Sequence, residues 1–147
     1  MSTLEKAIEI AAKAHAGQID KAGQPYILHP LRMMLSVSRV AQIPAVLHDV
    51  VEDTKVTLND LQKAGFSEEV IEVVGLLTKT STDKSDTAYF EYLSRVAKNP
   101  IAREVKLADL RDNMDPSRIA NPTEKDLKRM EKYKRAFAML SAETSNL

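Results

Sequence analysis

Val46-Leu47-His48-Asp49-Val50-Val51-Glu52-Asp53 sets four polar side chains into an otherwise apolar run. Ala45, Val46, Leu47, Val50 and Val51 recur with helical period, and Pro44 stands near the start of the run. At about 100° per residue, with His48 at zero, Glu52 falls near 40°, Asp49 near 100° and Asp53 near 140°. One helix through the stretch would hold all four on a face of roughly 140°. Three carboxylates so placed repel one another, and burying them uncompensated is costly. The stretch therefore reads in two ways. It is a face that holds a divalent cation, or a face turned to solvent or paired with Lys and Arg from elsewhere.

Helical period extends outward in both directions. Leu4, Ala7, Ile8, Ala11, Ala14 and His15 form one stripe, on which His15 reads as a core residue. Gly17, Gly23 and Pro25 mark a turn-rich connection, and Pro30 suits the first turn of a helix through Leu31, Met34, Leu35 and Val37. Thr57 and Ser67 read as N-caps of helices over 58–63, closed by Gly65, and 68–77. Further helices are expected at about 87–97, 100–114 and 123–142. The polar segment 79–86 between them is either a flap or an ordinary surface connection. No run alternates apolar and polar residues, so the expected fold class is all-α. The reading is a single domain over 1–147, with about six to eight helices and a frayed tail at 144–147.

Composition narrows the function. Of 147 residues, 44% are apolar and 29% charged, as in one globular domain. The absence of cysteine excludes disulfides, thiolate zinc sites and Cys nucleophiles. Lys+Arg and Asp+Glu number 21 each, so no overall field recruits nucleic acid. No run approaches the ~20 apolar residues that cross a bilayer, and the N-terminus lacks the apolar region of a signal peptide. A cytoplasmic protein without membrane or nucleic-acid partners is expected; oligomeric state is not legible. Charge is nevertheless uneven. Residues 1–73 carry 7 basic and 10 acidic side chains, residues 74–147 carry 14 and 11, and 124–135 hold six Lys/Arg against three Glu/Asp. That last segment is a solvated face laced with salt bridges, or it faces a polyanionic ligand.

Only three histidines are present, His15, His29 and His48, so any metal site is built within that allowance. His29, before Pro30, reads as a ligand or as a capping or core histidine. Asp109, within Val105-Lys106-Leu107-Ala108-Asp109-Leu110, reads as a ligand or as the ion-pair partner of Lys106 or Arg103. With His48 and Asp49 they make two imidazoles and two carboxylates. Such an N/O set suits one divalent ion, Mn²⁺, Fe²⁺ or Zn²⁺, better than Ca²⁺.

The order His29, His48-Asp49, Asp109 resembles that of the HD-domain metal-dependent phosphohydrolases. Four blocks sharpen the resemblance: Ala14-His15-Ala16-Gly17-Gln18, Gly23-Gln24-Pro25-Tyr26-Ile27-Leu28-His29-Pro30, Leu47-His48-Asp49-Val50-Val51-Glu52-Asp53-Thr54 and Lys106-Leu107-Ala108-Asp109. Together they look like the hydrolase domain of RelA/SpoT-type proteins, over about residues 4 to 135. The resemblance implies hydrolysis of the alarmone (p)ppGpp to GDP or GTP and pyrophosphate, usually with Mn²⁺, in a small stand-alone protein. It assigns His29, His48, Asp49 and Asp109 to the metal and matches Glu52 and Asp53 to the family's catalytic acidic pair. It matches Asn113 to a ribose contact, Lys21 to a basic residue near the phosphates and Tyr133 to a pocket-lining block.

Two departures bear on the substrate. Family members commonly carry an Arg that packs on guanine where this chain has Asp20, and a carboxylate neither stacks like a guanidinium nor attracts phosphate. Long members commonly read Arg-x-His-Asn after the last metal Asp, against Leu110-Arg111-Asp112-Asn113 here. Three other readings stand beside alarmone hydrolysis. One is an HD phosphohydrolase acting on an adenine-based alarmone, a nucleoside monophosphate or a phosphorylated dinucleotide. Another is a metal- or nucleotide-binding module without turnover. A dinuclear HD enzyme is disfavoured, since only His15 remains to build a second site.

Overall fold

The computed structural model describes residues 2–145. Its elements are α1 (Leu4–Ala14), α2 (Leu28–Ser36), a 3-10 turn (Arg39–Ala41), α3 (Gln42–Leu47), α4 (Val50–Asp53) and α5 (Leu58–Lys63). They continue with α6 (Glu68–Leu77), α7 (Asp86–Ala97), α8 (Pro100–Asn113), a second 3-10 turn (Pro116–Arg118) and α9 (Glu124–Ser145). Among the described residues there is no strand, only an isolated bridge between Ile19 and Pro25. The fold is all-α. Of the tail expected to fray, 144 and 145 end α9, and 146–147 lie outside the described residues. No helix among the described residues is long and apolar enough to cross a membrane.

Local signals start these helices. The Thr3, Ser67 and Ser85 hydroxyls accept the N–H groups of Lys6, Val70 and Ala88, and Thr57 and Asp60 form a reciprocal capping box. Asn99 caps α8 just before Pro100, which has no N–H to leave unpaired at the first helical position.

Two apolar clusters form the core. Ala7, Ala11, Val46, Leu47, Val50, Leu61, Phe66 and Val74 join α1, α3, α4, α5 and α6. Met33, Val73, Leu77, Leu93, Val96, Val105, Leu110 and Leu140 join α2 and α6 to α9. Adjacent residues of α6, Val73 and Val74, belong to different clusters, so α6 ties them together.

The expected third helix is broken. It runs as α3 and α4, separated by His48 and Asp49, with Asp49 at φ −110° and ψ 0°. In a continuous helix the Ala45 carbonyl would pair with the Asp49 N–H. Here it accepts from the His48 N–H at 3.4 Å and from His48 Nδ1 at 2.8 Å. The single polar face expected over His48–Asp53 is accordingly replaced by two groups. His48 turns toward α2 and α8, while Asp49, Glu52 and Asp53 gather on the α4 side.

Candidate active site

His29 in the first turn of α2, His48 at the break and Asp109 on α8 are each buried, and one ligand atom from each lies within 4.8 Å of the others. The backbone selects the ring nitrogens. His48 Nδ1–H donates to the Ala45 carbonyl, an acceptor only, so Nε2 is the nitrogen turned to the interior, and although burial opposes charge on the ring, Asp49 and Asp109 hold its pKa well above the usual imidazole value. That Nε2 is buried without a hydrogen bond, and its neighbours are Asp49 Oδ2 at 2.9 Å and Asp109 Oδ1 at 3.6 Å. Carboxylate oxygens packed around Nε2 call for a positive charge, which a proton on the ring supplies in the ion-free fold and a divalent cation would supply in its place. A divalent cation fits this donor set, and His29, His48 and Asp109 would hold it.

The atoms behind these ligands are also paired. His29 Nδ1 meets Asp112 Oδ2 at 2.6 Å, leaving Nε2 to face Asp109 Oδ1 at 2.8 Å. Lys106 Nζ donates to Asp109 Oδ2 at 2.8 Å, and Asn113 Nδ2 donates to Oδ1 at 3.1 Å. Burial opposes charge on Asp109, yet Lys106 and the two histidines hold its carboxyl well below the usual range. Of the ion-pair partners considered for Asp109, Lys106 is the one it has. Arg103 instead donates to the Ala97 carbonyl.

Asp49 borders both groups. The Tyr26 hydroxyl donates to its Oδ2, and although burial opposes its charge, His48 and Tyr26 hold its carboxyl down at about 2. Glu52 accepts the Lys79 N–H at 2.6 Å, which anchors the start of the 79–86 segment. Asp53 differs. Desolvation and the charges of Asp49 and Glu52 push it up to about 6. A carboxyl with that value exchanges protons close to neutral pH.

A cavity of about 460 Å³ opens over these residues, lined by all six acidic and imidazole groups of the expected site and by Lys21, Asn113 and Tyr133. Lys79, Lys106 and Arg129 add positive charge to its wall. Segment 124–135 divides between salt bridges and the cavity wall. Lys132 and Arg135 pair with Asp86 at 3.6 and 3.1 Å, whereas Arg129 reaches the cavity. His15 is buried as expected, and its ring packs behind His29 through Tyr26. Its ring lies 4.8 Å from Tyr26, which lies 5.6 Å from His29.

Lys106, Asp112 and Arg118 were not legible as site residues. Asp112 accepts from Arg32 at 2.8 and 3.1 Å and from Arg118 at 2.9 Å while bonding His29. Arg118 also donates to Asp20 at 3.1 Å, a contact between residues 98 apart in sequence. Asp20 is thus neutralised, and its other oxygen ties the 20–24 turn by accepting the Ala22 and Gln24 N–H groups.

A model of the HD domain matches residues 7–111, well over half of the sequence. The chain belongs to the HD domain family. This HD domain is 33% identical over 121 residues to a guanosine-3′,5′-bis(diphosphate) 3′-pyrophosphohydrolase of Borreliella burgdorferi, covering 74% of this chain and 18% of that one. It is also 33% identical over 138 residues to a GTP pyrophosphokinase of Streptomyces coelicolor, covering 87% and 16%. It spans less than a fifth of the length of these curated relatives. Among solved structures, a chain described as a metazoan ortholog of SpoT that hydrolyzes ppGpp superposes with a TM-score of 0.78 at 22% identity, over 95% of this chain and 85% of that one. That likeness shows the shared HD fold.

Proposed function

We propose that this HD domain is a cytoplasmic, metal-dependent hydrolase that removes the 3′-pyrophosphate of (p)ppGpp or a related nucleotide, giving a nucleotide and pyrophosphate. The observation that carries this reading is the buried His48 Nε2, without a hydrogen bond among carboxylates, in a cavity that an acidic pair also lines. The names of the relatives of this domain agree with it.

His29, His48 and Asp109, with Asp49 beside them, would hold the ion. Mn²⁺ is the one we expect, and Fe²⁺ and Zn²⁺ suit the same donors. When bound, a divalent cation offsets the charge of a pyrophosphate and makes its phosphorus a better electrophile. Asp53, with its carboxyl near 6, takes the proton of the attacking water, and the pair with Glu52 returns one to the leaving 3′-oxygen. Glu52 is oriented for this by the Lys79 N–H. Lys21, Lys79 and Arg129 line the cavity and attract the phosphates. Asn113, already bonded to Asp109, reaches the ribose, and Tyr133 closes the wall.

The test is pyrophosphate release from ppGpp and from its adenine counterpart with Mn²⁺-loaded protein. Turnover of either nucleotide, absent in Asp53→Asn, is the expected result. Tight nucleotide binding without product would make this domain a binding module. Release of inorganic phosphate from nucleoside monophosphates alone would place it with other phosphohydrolases.

A further inference from the structure

We propose that the guanidinium of Arg118, gripped along its edge by Asp20 and Asp112, is the platform on which the base of the nucleotide lies. The proposal rests on the nucleotide reading above. Arg118 sits on the cavity wall at the end of the second 3-10 turn. Its Nη1 donates to Asp112 Oδ2 at 2.9 Å and to the Asp112 carbonyl at 3.0 Å, and its Nη2 donates to Asp20 Oδ2 at 3.1 Å. Guanidinium hydrogen bonds lie in the plane of the group. Asp20 and Asp112 therefore engage both terminal nitrogens within that plane, and the faces of the group carry none of these bonds.

A phosphate approaching Nη1 or Nη2 in the plane would meet the carboxylates of Asp112 and Asp20. A planar aromatic ring needs only the face, where cation–π and stacking attraction act. The same cavity suits that occupant, because Ile19, 70% exposed, and Ile119 add apolar surface to its lining. Ordering the side chain in advance also lowers the entropy lost on binding. The clamp connects both positions at which the chain departs from its resemblance, residues 20 and 112. One arginine satisfies the two carboxylates together. Since every base has a π face, such a platform confers affinity for a base as such, and in-plane groups choose which base.

The experiment measures calorimetric binding of guanosine 5′-monophosphate and ribose 5-phosphate, which differ in the base alone, to Mn²⁺-loaded protein. Arg118→Ala should weaken guanosine monophosphate by about tenfold and leave ribose 5-phosphate unchanged. Arg118→Lys keeps the charge and loses the plane, so it should behave as the alanine variant does. If Arg118→Ala fails to fold by circular dichroism, Arg118→Lys carries the test with the same two probes. Equal weakening of both probes, no weakening of either, or full rescue by lysine each overturns the platform. A wild-type protein that cleaves ppGpp yet binds both probes equally also overturns it and leaves the hydrolase reading standing. A wild-type protein that neither cleaves ppGpp nor binds guanosine monophosphate overturns both.

Discussion

Lys106 Nζ lies 2.8 Å from Asp109 Oδ2, one turn earlier on α8, and both side chains are buried. The ammonium occupies one carboxylate oxygen and leaves Oδ1 to face His29 and His48. A lysine inside the fold thus sets the orientation of a carboxylate proposed to hold the metal. Tyr89 and Tyr92 shelter it, with ring centroids 6.0 and 5.4 Å from Nζ.

Lys106→Met should lower the affinity for Mn²⁺ by about 10- to 100-fold, as loss of a partner behind a metal ligand does. In the metal-free protein it should also cost about 3–5 kcal/mol, because Asp109 is left buried without its cation. Chelator-competition titration and urea unfolding measure the two effects. Unchanged metal affinity would remove Lys106 from the orienting role.

Asp112→Asn should weaken metal binding by about tenfold or more while leaving the fold in place. The carboxylate orients His29 through Nδ1, and an amide that turns its NH₂ toward the ring no longer favours the tautomer with Nε2 free. Arg32→Ala, which removes a guanidinium from Asp112 but keeps the carboxylate against the ring, should change metal affinity far less. Equal losses in the two variants would show that the Arg32 ion pair, and not the ring contact, is what matters.

Asp53→Asn should reduce pyrophosphate release by about 10²- to 10⁴-fold with metal content retained. His48→Ala should instead lose the metal. Turnover assays and elemental analysis of the same preparations separate the roles, and near wild-type hydrolysis by Asp53→Asn would overturn the one given to Asp53.

Asp53 also predicts a pH dependence of the metal-free protein. Its folded-state value near 6 lies above the ordinary carboxylate value of 3.8, so between these the folded state binds more protons than the unfolded one. Stability contributed by this group is present at low pH and falls as pH rises from about 4 through about 6. In EDTA, the urea midpoint of Asp53→Asn should show a smaller decline over that interval than wild type. Parallel curves would mean that Asp53 titrates normally.

Much of this site was legible in the chain because its residues are chemically unusual for their surroundings. His48, Asp49, Glu52 and Asp53 stand out in an apolar run, and Asp109 stands out in another. Caps at Thr57 and Ser67 place helix starts close to where they occur, since capping is a local hydrogen bond within three residues. The break after Leu47 was not legible. Helical period runs straight across it, and the interruption depends on the His48 ring reaching back to the Ala45 carbonyl while its Nε2 is drawn toward α8.

Asp20 shows the same division from the other side. In sequence it is a negative charge where a positive one is expected, and phosphate repulsion is the natural inference. In the fold, Arg118 neutralises it across 98 residues, and the pair reaches through Asp112 to His29. By itself the sequence determined the all-helical class, the donor atoms available to a metal and the acidic pair beside them, because periodicity and residue chemistry are written locally. Tertiary structure alone decided which nitrogen each histidine presents, which oxygen of Asp109 remains for an ion, and which carboxylates keep a free charge. Those outcomes depend on contacts between α2, the α3–α4 break, α8 and the turn before α9, and long-range packing leaves no period in the chain from which to read them.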